Sequence, residues 1–114
     1  MVKHSCDGPV YSLDNVKRLA SEGRARCRGL NTQLACQECF ELSLDQACEE
    51  IAWLEADEYL RTYEYEDDEL GNKQRPDDAY ETVVVLPDGM KKRAFIKLQI
   101  SDDGLELDIG SFHS

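Results

Sequence analysis

The chain has 114 residues, 41% hydrophobic and 32% charged, which suits one domain with a modest core and leaves too little chain for two. No apolar run approaches the roughly 20 residues that cross a bilayer, and Met1–Pro9 lacks the apolar stretch of a secretory signal, so a cytoplasmic protein is expected. The net charge of -11 repels nucleic acid globally, but it is uneven: residues 1–34 carry +3, residues 35–81 carry -13 and residues 82–114 carry -1. A local basic patch built from the two ends therefore remains open.

Residues 1–10 read as a flexible segment. Ser12 then offers an N-cap hydroxyl, and Leu13, Val16, Leu19 and Ala20 recur at helical spacing before Gly23. This predicts a helix over 13–22. Arg24, Arg26 and Arg28 alternate with Ala25 and Cys27, so an extended backbone would put all three guanidinium groups on one side. Such a triplet suits phosphate oxygens, and equally suits the acidic middle of the same chain. Asn31 is the next cap candidate, ahead of an apolar stripe of Leu34, Ala35, Cys36, Cys39 and Phe40 on a second helix. Ser43 with Gln46 forms a capping box for a third. On it Leu44, Ala47, Cys48, Ile51 and Leu54 share one face, with Asp45, Glu49, Glu50 and Glu55 toward water.

After Asp57 the period becomes alternating. Tyr59, Arg61, Tyr63 and Tyr65 are expected on one face of a strand, with Leu60 and Thr62 on the other. Residues 66–79 read as an acidic, solvated loop. Strands follow over Thr82–Leu86, Ala94–Ile100 and Leu105–Ile109, joined by Pro87-Asp88-Gly89 and Asp102-Asp103-Gly104 turns. The order predicts a single α+β domain, three N-terminal helices packed on a C-terminal antiparallel sheet.

Two constellations bear on chemistry. Cys36 and Cys39 have metal-ligand spacing, and Cys27 and Cys48 flank them nine residues away on each side. The odd total of five cysteines argues against a secreted disulfide framework, and the pair falls on an apolar helical stripe, so buried core cysteines with no metal or cofactor are expected. Tyr59, Arg61 and Tyr63 offer stacking surfaces and a cation, as single-stranded RNA or a protein interface would use. His113 has an imidazole suited to moving a proton.

Tyr11-Ser12-Leu13-x-x-Val16-Lys17-x-Leu19-x-x-x-Gly23-x-x-Arg26 resembles the opening of MqsR-type toxins, the mRNA-cleaving halves of bacterial toxin–antitoxin pairs. Leu44-Asp45-x-x-Cys48-x-x-Ile51-x-x-Leu54 with Asp57-x-Tyr59 resembles their third helix and the strand after it. Phe95-Ile96-Lys97-Leu98 and Ser111-Phe112-His113 resemble their last two strands. The resemblance runs collinearly over 11–113, with a longer acidic insertion around 66–79. It implies a RelE-like fold, ribosome-independent cleavage of single-stranded mRNA through the RNA 2′-hydroxyl, and a cognate antitoxin protein as partner. On that reading Arg61 and Lys97 stabilise the phosphate, Tyr59 or Tyr63 positions a base, His113 moves a proton, and Arg24, Arg26 and Arg28 add RNA contacts. The family's lysine after the tyrosine is Leu60 here. Its Trp-Gln-Asp-Val-Tyr strand falls on Glu81–Val85, and its terminal lysine is His113. Two alternatives follow: a nuclease site rebuilt from Arg61, Lys97 and His113, or a non-catalytic acidic protein that occupies a partner's basic surface by imitating nucleic acid.

Overall fold

Two serines open helices where their hydroxyls capture backbone N–H groups. In the computed structural model, which describes residues 3–5, 7–40, 42–66, 69–71 and 74–114 and excludes the side chains of His4, Cys36 and Cys39, helix α1 spans Leu13–Ser21. Ser12 Oγ accepts from the amide of Asn15 at 3.4 Å. Helix α2 spans Leu30–Phe40, so the expected cap Asn31 lies inside it. Thr32 Oγ1 instead donates back to the carbonyls of Arg28 and Gly110. Gly29, with φ +84°, lets the chain turn from an extended Arg28 into this helix with no spare residue. Helix α3 spans Leu44–Ala52 and carries the full capping box: the Gln46 amide donates to Ser43 Oγ, and the Ser43 amide to Gln46 Oε1 at 2.9 Å. Its apolar face is as expected, although Glu50 is partly buried and its carboxyl is held above the usual range, chiefly by that burial.

Six strands are present among the described residues: β1 (Lys3–Ser5), β2 (Ala25–Cys27), β3 (Tyr59–Glu64), β4 (Asp77–Val85), β5 (Lys91–Ile100) and β6 (Leu107–His113). They form one sheet in the order β1-β3-β4-β5-β6-β2. Neighbours run antiparallel except β2, which lies parallel to β6. The α+β reading therefore stands with two corrections. The sheet is mixed, and the first half of the chain contributes two of its strands between and before the helices. Parallel pairing arises because β2 leaves α1 and joins the far edge, where the amide of Leu107 donates to Arg24 O and that of Arg28 to Ile109 O.

Within the segment expected to be flexible, residues 3–5 pair as β1 with β3, and the amides of Val10 and Tyr11 donate to the Asp78 carboxylate. The expected loop over 66–79 ends early for a related reason. Asp77 and Asp78 read as solvated charges, yet both are buried in β4 because each carboxylate finds several donors.

One face of the sheet carries the core. Ala94, Ile96, Leu98 and Ile100 of β5 alternate inward, with Val16, Leu19, Phe40, Ile51, Leu54, Leu107, Ile109 and Phe112 packed around them. Phe40 meets Phe112 edge-on at 5.2 Å. Each fully buried Leu or Ile contributes roughly 1.5–3 kcal/mol relative to exposure. All three helices lie on this side, which leaves the other face of the sheet without a helical layer among the described residues. No helix among them is long and apolar enough to cross a membrane.

Candidate nucleic-acid interface

The open face owes its composition to period-two alternation and to two irregularities, one in β3 and one between β5 and β6. Register between β4 and β5 runs without a shift from Asp78↔Leu98 to Val85↔Lys91, so Lys91, Arg93, Phe95, Lys97 and Gln99 all project away from the helices. In β3 a bulge falls between Tyr59 and Arg61. It turns Arg61 and Tyr63 to the open face while Tyr59 stays on the core side. There Tyr59 packs edge-on to Tyr80 at 5.7 Å and its hydroxyl pairs with Thr62 Oγ1 at 2.7 Å. The expectation that Tyr59, Arg61 and Tyr63 share a face is thus corrected for Tyr59, because the extra residue of a bulge reverses the parity of everything before it.

Strand order then brings together residues that are distant in sequence. Arg61, Ala79, Lys97 and Ser111 form one cross-strand row over β3, β4, β5 and β6. Ala79, fully buried, stands in register between the two cations. Lys97 Nζ lies 4.2 Å from the centre of the Tyr63 ring, a cation–π contact. Tyr63 meets Phe95 at 6.5 Å, and Phe95 meets the ring of His113 at 5.2 Å. Lys97, Tyr63, Phe95 and His113 are therefore one contiguous patch, with Arg61 in the same cross-strand row as Lys97.

The arginine triplet behaves differently. Arg28 crosses Gly110 to reach Asp77, donating through Nη2 to Oδ1 at 2.7 Å and through Nη1 to Oδ2 at 3.2 Å. A Cβ at position 110 would sit 2.8 Å from Arg28 Nη1, so a larger residue there would push the guanidinium off this path. The hydroxyl of Tyr65 donates to the same carboxylate at 2.6 Å. Arg28 also donates to Asp108, and Arg26 faces Asp108 at 3.4 Å and Glu106 at 3.7 Å. Two of the three arginines thus spend their charge inside the molecule, and Arg24 is exposed at the end of β2, beside a cleft lined by Gly23, Asp103 and Glu106.

These pairings resolve the conflict between an acidic chain and a basic patch. On the open face Asp77 is taken by Arg28, Asp108 by Arg26 and Arg28, and Glu81 by Arg93 at 3.2 Å. Arg61 and Lys97 have no carboxylate partner among the described residues, and Arg61 Nε is buried without an acceptor. The surplus on this face is cationic, whereas the unpaired acids of α3 and the turn after it lie on the helix side. A cleft of about 370 Å³ opens elsewhere, lined by Lys3, Glu64, Tyr65 and Pro76.

Cys48 is buried on the core, in line with its apolar stripe, and Cys27 is half-buried. Burial raises both thiols, so neither is poised as a thiolate. The expectations for the side chains of Cys36 and Cys39 lie outside the described residues. Among those described, no three His, Cys, Asp or Glu side chains group as metal ligands.

Phe95 and Ala79 were not singled out from sequence. Phe95 had a signal, since it alternates with Lys97 on one strand. Ala79 had none, because its importance lies in what sits across it on β3 and β5. Compared with known proteins, the chain matches no family model and no curated sequence.

Proposed function

We propose that this protein is an RNA-cleaving toxin of the MqsR-like kind, binding single-stranded RNA on the open face of its sheet. The observation that carries the reading is the row Arg61–Ala79–Lys97: two cations without carboxylate partners, flanked by Tyr63, Phe95 and His113, in a chain whose net charge is -11. Two neighbouring cations without carboxylate partners repel each other, and phosphate supplies a counter-charge. Aromatic rings beside it supply base-stacking surfaces worth roughly 1–3 kcal/mol per base.

The chemistry is in-line transfer. The 2′-hydroxyl oxygen attacks the adjacent phosphorus, the bond from phosphorus to the 5′ oxygen breaks, and the products are a 2′,3′-cyclic phosphate and a 5′-hydroxyl end. Arg61 and Lys97 hold the non-bridging oxygens and stabilise the charge that builds there. His113, exposed beside Phe95, moves the proton between the 2′-hydroxyl and the leaving oxygen. Tyr63 stacks on a base. A neutralising protein partner belongs to the same reading. The alternative, an acidic nucleic-acid mimic, draws less support: Asp77 and Asp78, from the most acidic segment, are consumed by internal donors.

The test is cleavage of single-stranded RNA by the purified protein against an Arg61→Ala/Lys97→Ala/His113→Ala variant, both shown folded by circular dichroism. Cleavage by the wild type and loss of at least about a hundredfold in the variant is expected, since proton transfer alone contributes roughly 10²–10⁴. Equal cleavage by both, or none by well-folded wild type, overturns the proposal.

A further inference from the structure

Beyond Tyr80 on β4 and Phe95 on β5, neither β3 nor β6 continues the sheet. Residues 82–85 and 91–94 therefore continue as a two-stranded arm whose inner side, with Val84 and Ala94 fully buried, stays packed on the core, and the molecule measures 46 × 27 × 25 Å. The arm's side continuous with the open face carries Lys91 and Arg93 on β5, and directly across from them Val85 and Val83 on β4. Both valines are 54% exposed. Apolar side chains left in water beside cations make a surface that fits a ribose or base on one side and a phosphate on the other.

We propose that the RNA path runs on from the Arg61–Lys97 row along β5 and onto this arm, with Lys91 and Arg93 as further phosphate contacts and Val83 and Val85 as the floor beneath the bases. This rests on the reading of the open face as an RNA site, and adds to it a direction and a substrate class: an extended single strand longer than the cleaved step. Spacing supports it. Side chains two residues apart on one strand face stand about 7 Å apart, the reach of one nucleotide in an extended chain. Lys91, Arg93, Phe95 and Lys97 thus alternate two cations, one ring and one cation at a polynucleotide's own interval. Lys91 is exposed and without a carboxylate partner among the described residues. Arg93 is bridged to Glu81, but its side chain is 76% exposed, and such a surface pair exchanges readily for phosphate.

The experiment measures binding of labelled 2′-O-methyl oligouridines, which cannot be cleaved, of about four and about ten nucleotides by fluorescence anisotropy. Wild type, Lys91→Ala/Arg93→Ala and Arg61→Ala/Lys97→Ala proteins are compared. The wild type is expected to bind the long oligonucleotide about tenfold or more tighter than the short one, and the arm variant to lose that advantage while binding the short one unchanged. Its salt dependence on the long strand should flatten by about 1.4 in the log–log slope, at roughly 0.7 for each phosphate released. If the arm variant binds the long strand like wild type while Arg61→Ala/Lys97→Ala loses both, the arm proposal fails and the central site stands. If wild type binds neither strand, both fail. Equal or tighter binding of a duplex of the same length also overturns the single-strand assignment.

Discussion

Asp77 is 1% exposed and its two carboxylate oxygens are divided between the guanidinium of Arg28 and the hydroxyl of Tyr65. Deleting it leaves the Tyr65 phenol without its acceptor and the half-buried Arg28 guanidinium with Asp108 alone. Asp77→Ala is therefore expected to cost about 3–5 kcal/mol in urea unfolding, as for other broken buried pairs. A loss below about 1 kcal/mol would show that water replaces the carboxylate freely. Tyr65 gives the same cluster a pH signature. Burial, then the hydrogen bond to Asp77, raises its pKa well above the ordinary phenol range. An unfolded tyrosine ionises near about pH 10, so the folded state holds a proton that the unfolded state gives up. This stability is complete below about pH 10 and is lost as pH climbs through the raised folded value. Above pH 10 the wild type should lose stability more steeply than Tyr65→Phe, and parallel alkaline profiles would remove Tyr65 from the account.

Among the elements, α3 is the one whose start is fixed most locally, by the reciprocal bonds of Ser43 and Gln46. Ser43→Ala should cost about 1 kcal/mol in thermal or urea unfolding while leaving RNA binding intact, because the cap lies on the helix side, away from Arg61 and Lys97. A variant that lost RNA binding with its fold preserved would mean that the helix layer shapes the open face. Strand β3 shows the opposite case. Its alternation of Tyr59, Arg61, Tyr63 and Tyr65 is visible in the sequence, but the bulge that moves Tyr59 to the core is not. A bulge is set by the partner strand's register and by the fit of Tyr59 against Tyr80, and neither leaves a mark on β3 itself.

At the scale of the whole molecule, the charge of -11 and the cationic face act in opposite directions. Added salt screens repulsion among the acids, so the folded state should gain stability in urea as salt rises from low to moderate concentration. RNA affinity should fall over the same range, because phosphate contacts release counterions. Parallel gains in both would place the RNA away from Arg61 and Lys97, and loss of both would point to stabilising ion pairs at the surface.

Local patterns in the chain determined a good deal by themselves: the extent of α1 to within a residue, the start of α3 with its capping box, and the apolar face of α3. These depend on spacing along a helix or strand, on hydrogen bonds between near neighbours, and on side-chain polarity, all of which one segment carries. Only the tertiary structure decided which cations remain free. Arg26 and Arg28 read equally as phosphate ligands or as partners of the chain's own acids, and the choice fell to the acids when β2 joined the edge beside β6 and Arg28 crossed Gly110 to Asp77. Asp77 and Asp78 read as loop until distant donors satisfied them. Charge acts through space over several ångströms, and the carboxylates that neutralise Arg28 lie 49 and 80 residues away in the chain.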